Sequence, residues 1–236
     1  INKEDAFKSA PFKTFQNLTE KLKTKYGYIT GDVNWSGILN IGMDLRGETI
    51  LMDMMIDPEN VQQFFKTIYE IISEFTSFIQ SDTGSSSISV NRSVRNFHKP
   101  VFLHSECSHT MISSEDYENM LLDFDIMWSK QNRPFGIHYC GNDPHRHAQS
   151  FAKVPHLDFL DVGWGGDVKI LRKYLPNTFF NIRLNPVEIK NQSTDEIYDI
   201  IYKLVKESGD LSLTGICCIN MDDSVPDEKI NTIFVT

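Results

Sequence analysis

The feature that most constrains this chain is an alternation of two kinds of segment. Short β-prone runs recur at Tyr28 to Val33, Val101 to His104, Phe135 to Cys140, Phe159 to Val162, Thr178 to Ile182 and Leu213 to Ile219. Between most of them lie amphipathic stretches with helical spacing. From Pro58 to about Ile79, Val61, Phe64, Phe65, Ile68, Ile71, Ile72 and Phe75 recur at i, i+3, i+4 and i+7. Asp57 is a candidate N-cap there, and Pro58 suits the first helical position, where its missing N–H costs nothing. A second helix is predicted from Ser113 or Ser114, with Tyr117, Met120, Leu121, Phe124 and Met127 on its apolar face. A third starts at Ser193 or Thr194, carries Asp195 and Glu196 at its positive end, and stops at Gly209. Strands alternating with helices predict βαβ units around a parallel sheet.

About six such units can be counted, which leaves an open doubly wound sheet and a (β/α)8 barrel. No G-x-G-x-x-G follows the first strand, which disfavours the dinucleotide-binding version of the open sheet. A chain of 236 residues suits a single barrel domain, since such barrels run to ~250 residues. The balance of 32 acidic against 23 basic side chains, a formal net charge of −9, argues against a nucleic-acid partner, which needs a basic face. No run of ~18 apolar residues is present, so no membrane span is predicted. The first residues lack the apolar core of a signal peptide, and a reducing cytoplasm with free thiols is expected. The chain begins with Ile rather than Met, as a fragment or processed product does.

In either architecture chemistry belongs at the C-terminal ends of strands. The run Phe135-Gly-Ile-His138-Tyr-Cys140-Gly-Asn142 places His138 and Cys140 at i and i+2, on one face of a strand. The last strand brings Cys217 and Cys218 to the same rim, and alternation allows only one of them to face inward. Imidazole with two thiolates is a ligand set that zinc prefers, and three protein ligands leave a fourth position open. A further cluster, His104-Ser-Glu106-Cys107-Ser-His109, offers Glu106 as general base or ligand and His104 and His109 as orienting groups or proton donors. Asp32, after an early strand, is another catalytic candidate. Asn142 and Arg183 suit an anionic substrate or cofactor. The bland alternative is that the histidines are satisfied core residues and the thiols small hydrophobes. His145, His147 and His156 read as loop or helix-edge residues and receive no role.

Several segments, taken in order, resemble the uroporphyrinogen decarboxylase superfamily. These are Gly31 to Phe65 with Leu45-Arg46-Gly47-Glu48 and Asp57-Pro58-Glu59-Asn60-Val61; Ile112-Ser113-Ser114-Glu115-Asp116-Tyr117; His138-Tyr139-Cys140-Gly141-Asn142; Asn185-Pro186 followed by Ser193 to Ile197; and Cys217 to Asn231. The resemblance is to the corrinoid-dependent, methylcobalamin:coenzyme M methyltransferase-like branch. It implies a (β/α)8 TIM barrel that begins earlier in the family, so that the first strand or two are absent or rebuilt here. It implies zinc held by His138, Cys140 and one of Cys217 and Cys218, with spacing to the final proline favouring Cys218. It implies a thiol or methylated small-molecule substrate, a corrinoid on a separate protein as methyl carrier, and pairing into homodimers. The arginine-rich N-terminal segment of the true decarboxylases has no counterpart. A metal-free carboxy-lyase using His138 and the residues near Glu106, and a truncated non-catalytic corrinoid- or partner-binding module, are the alternatives.

Overall fold

The computed structural model describes residues 1–27, 35–83, 97–163 and 165–235. The expected strand Tyr28 to Val33, and with it Asp32, lies outside the described residues, as does Trp164. The helices are α1 (Lys3–Lys8), α2 (Ala10–Tyr26), α3 (Ile38–Arg46), α4 (Thr49–Ile56), α5 (Pro58–Thr83), α6 (Ser114–Met120), α7 (Leu122–Gln131), α8 (Ala148–Phe151), α9 (Val168–Tyr174), α10 (Pro186–Asn191), α11 (Thr194–Ser208) and α12 (Asp227–Val235). The strands are β1 (Phe102–Ser105), β2 (Phe135–His138), β3 (Leu157–Val162), β4 (Phe179–Arg183) and β5 (Thr214–Cys217). No helix among the described residues is long and apolar enough to cross a membrane.

Local chemistry explains the helix starts. Ser113 accepts from the Asp116 N–H while Asp116 reaches back to the Ser113 N–H, and Ser193 and Glu196 do the same for α11. Each box satisfies two orphan donors of a first turn. Phe12 and Phe15 of α2 pack against Phe75 and Phe78 of α5. The predicted second helix is two, because the backbone departs from helical geometry at Leu121, between α6 and α7.

All four neighbouring strand pairs are parallel, and the order is β1-β2-β3-β4-β5. A doubly wound sheet must reverse its strand order at a switch point, and here the order runs in one direction throughout. Right-handed crossovers between sequential parallel strands put their helices on one side. The arrangement is therefore singly wound, an arc like the wall of a (β/α) barrel. Among the described residues the sheet is open, with β1 and β5 at its edges.

Alternation divides the sheet into two faces. Phe102, Phe135, Ile137, Leu160, Val162, Phe180 and Ile182 enter the large core with Trp128, Tyr117 and Leu171 from the helices. The opposite, concave face carries Leu103, Phe159 and Phe179, which with Val101 and Phe97 form a separate apolar cluster. Phe159 and Phe179 stack there with ring centroids 5.9 Å apart. Gly136 and Gly215 make room for these rings, since a Cβ at either would press into Phe159 or Phe179. A third cluster, Leu184, Ile189, Ile197, Ile201, Val225 and Ile233, lies under α10 to α12.

Candidate metal and thiolate site

Above the aromatic floor of the concave face the strands present a polar layer. Ser105, His138, Asp161 and Asn181 stand side by side in the register of β1 to β4. His138 Nδ1 is hydrogen-bonded to Asp161 Oδ2, and Asn181 donates to Asp161 Oδ1 at 2.9 Å. Arg183 Nε lies 3.4 Å from Asp161 Oδ2, and its Nη2 donates to the Tyr139 carbonyl at 2.8 Å. A buried carboxylate is costly unless it is paired and hydrogen-bonded, and Asp161 is hydrogen-bonded to His138 and Asn181 and ion-paired with Arg183. Burial opposes a charge on His138. Asp161 and the Cys140 thiol outweigh it and lift the imidazole to about 8.

At the strand ends the structure gathers three ligand-type side chains. Atoms of Cys107, His138 and Cys140 lie within 4.8 Å of one another. Cys107 opens a 3-10 turn after β1, and Cys140 sits two residues beyond β2. The neighbouring Cys107 thiol, then His138 and Arg183, hold Cys140 down to about 3, while contact with Cys140 and burial push Cys107 up. Arg183 Nη1 is 4.0 Å from Cys140 Sγ. The loops meet closely here. Gly163 lies so near the Gly141 carbonyl that a side chain at 163 would collide with backbone.

The remaining predicted residues divide between the two faces. Cys217 lines up with Arg183 and lies beside Asn181, and its thiol is pushed up by burial and by Asp161. Cys218 packs against the cluster under α10 to α12, so of the adjacent pair it is Cys217 that shares the concave face. Neither belongs to the group formed by Cys107, His138 and Cys140. Asn142 is exposed in the bend after β2, and Arg183 sits beside Cys140. His109 is fully buried among Tyr117, Tyr139, His147 and Phe151, and burial lowers its pKa well below the usual imidazole range.

His104 and Glu106 point away from this group. On β1, Leu103 faces the concave side, so His104 faces the helices. It stacks on Trp35 and pairs with Asp125 of α7 at 2.7 Å, and Tyr117 donates to the same carboxylate at 2.7 Å. Glu106 reaches the N-terminus of α3, where it accepts from the Leu39 and Asn40 N–H groups at 2.8 and 3.1 Å. The residue before that helix is Gly37, which offers no side-chain cap and on which a Cβ would strike Glu106. Glu106 thus caps α3, and His104 is held by Asp125 on the helix-facing side with its Nε2 3.4 Å from the Ile38 N–H, both apart from the group formed by Cys107, His138 and Cys140. Burial opposes the His104 charge, but Asp125 and Glu106 prevail and hold its pKa at about 9. Cys107 was missed in the sequence because it falls past the strand, where alternation no longer assigns a face.

A cavity of about 600 Å3 opens between α5 and α6, lined by Met54, Pro58, Gln62, Asn119 and Met120, and shares no residue with this site.

The fold is similar to that of a methyltransferase from Methanosarcina mazei. The superposition has a TM-score of 0.65 at 12% identity, and it covers 98% of this chain and 65% of that protein. The chain thus spans about two thirds of that protein's length, and the likeness is one of fold. No protein-family model and no curated protein matches the chain.

Proposed function

We propose that this chain is a metal-dependent methyltransferase of the corrinoid-linked kind, with zinc held by Cys107, His138 and Cys140. The observation that carries this reading is the meeting of two thiols and an imidazole at adjacent strand ends, backed by a carboxylate on the far ring nitrogen. Zinc favours this donor set, and three protein ligands leave one position for a substrate. When bound, zinc would supply a positive centre that keeps a substrate thiol in its thiolate form at neutral pH. Asp161 fixes the tautomer of His138, so that Nε2 is the nitrogen presented to the site. Arg183 adds a fixed positive charge beside Cys140, which suits an anionic thiol. The methyl donor in this reading is a methylated corrinoid carried by a separate protein. The likeness of fold to a methyltransferase supports the reaction class.

The test is elemental analysis of the purified chain together with methyl transfer from methylcobalamin to a small thiol. Equimolar zinc, lost in His138→Ala and Cys140→Ser along with transfer, is the expected result. Wild-type protein that is folded and refuses zinc would end the proposal. The metal-free carboxy-lyase alternative, which relies on His138 and the residues near Glu106, has less support, because Glu106 is committed to α3 on the helix-facing side and only His138 of the two stands in the site.

A further inference from the structure

Cys107 and Cys140 reach the site from different strand ends, yet their sulfurs lie within 4.8 Å. Cys140 is exposed and Cys107 half-buried. Neither belongs to a regular strand. Cys107 is in a 3-10 turn and Cys140 follows the end of β2. Connections of this kind can yield the small displacement that a sulfur–sulfur bond of about 2 Å requires. The other two cysteines are placed differently. They are adjacent in sequence, a strained geometry for bridging, and Cys218 is turned into an apolar cluster.

We infer that Cys107 and Cys140 form a peroxide-sensitive dithiol, which closes to a disulfide when no metal occupies the site. The inference rests on the same juxtaposition as the proposed function, but not on metal being bound. The Cys140 sulfur attacks one oxygen of hydrogen peroxide. The O–O bond breaks, water leaves with the thiol proton, and Cys140 becomes a sulfenic acid. The Cys107 sulfur then attacks the Cys140 sulfur. The S–OH bond breaks and its oxygen departs as water, taking the Cys107 proton. Two thiols and one peroxide give one disulfide and two waters. Closure consumes two of the three ligand atoms, so the disulfide and the metal exclude each other. The oxidised site is a reversible off state that a dithiol reductant reopens.

The experiment treats the full chain with chelator, then with hydrogen peroxide, alkylates the remaining thiols, and maps tryptic peptides without reductant. Lys130 lies between the two cysteines, so trypsin separates them unless they are bridged. The expected result is a Cys107–Cys140 linked peptide, with free thiols falling from the four of the sequence to two and returning with dithiothreitol. Cys107→Ser should instead accumulate a sulfenic acid at Cys140, trapped by dimedone. Over-oxidised Cys140 beside an alkylated Cys107 in wild-type protein overturns the inference, as does a bridge to Cys217 or Cys218. A Cys107–Cys140 bridge in protein that never takes up zinc upholds it while removing the metal reading. Zinc uptake with no bridge does the reverse.

Discussion

His138 and Asp161 face each other across β2 and β3 in register, and the histidine's Nδ1 is bonded to the aspartate's Oδ2. A carboxylate in that position sets which nitrogen of the ring is free, and raises the basicity of the ring as a ligand. Asp161→Asn keeps the shape and removes the charge. Zinc affinity, titrated against a competing chelator, should fall roughly 10–100-fold while the circular dichroism spectrum stays that of the folded chain. Unchanged affinity would detach Asp161 from the site's chemistry.

The choice among thiols can be read in one series. Cys107→Ser and Cys140→Ser should each lose stoichiometric zinc, and Cys218→Ser should retain it, because Cys218 packs under α10 to α12. Cys217→Ser should also retain it. The Co(II)-substituted protein gives a second readout, since thiolate-to-cobalt absorption should weaken in the first two variants alone. Loss of zinc in Cys217→Ser with retention in Cys107→Ser would move the third ligand to β5.

Glu106 should behave as a stability residue. Glu106→Gln leaves the Leu39 and Asn40 N–H groups sharing a neutral acceptor at the buried start of α3. A loss of about 1–3 kcal/mol is expected, visible as a lower thermal midpoint, with zinc stoichiometry intact. A variant as stable as wild type, with zinc or methyl transfer abolished, would return Glu106 to the catalytic group.

His104 predicts a pH dependence. Its folded pKa of about 9 exceeds the ordinary 6.5, so the folded state holds a proton that the unfolded chain releases first. The stabilisation is complete below about pH 6.5 and is lost as pH rises through about 9, and its full extent is of order 3 kcal/mol. Denaturation midpoints should therefore decline across that window, and the decline should flatten in His104→Gln. A wild-type midpoint that is level or rising there would count against a charged His104.

Much of this was readable in the sequence, and the failures have identifiable causes. The five described strands fall within a few residues of their β-prone runs, and of the two starts left open for each helix the caps are Ser113 and Ser193. His138 and Cys140 meet because two residues along an extended chain return to one face. What composition could not supply was the facing of His104. Both faces of β1 are buried, as in parallel sheets generally, so no polar–apolar rhythm marks the inside. The cap that Glu106 supplies was hidden for a different reason. Its partners Leu39 and Asn40 lie more than sixty residues earlier, and nothing local signals a cap supplied from that distance.

The stacked Phe159 and Phe179, closed below by Val101 and Leu103, have a bearing on traffic. They fill the concave face beneath the polar layer, so Cys140, exposed beyond the end of β2, is open to approach from the side of the loops after the strands and not through the sheet below it.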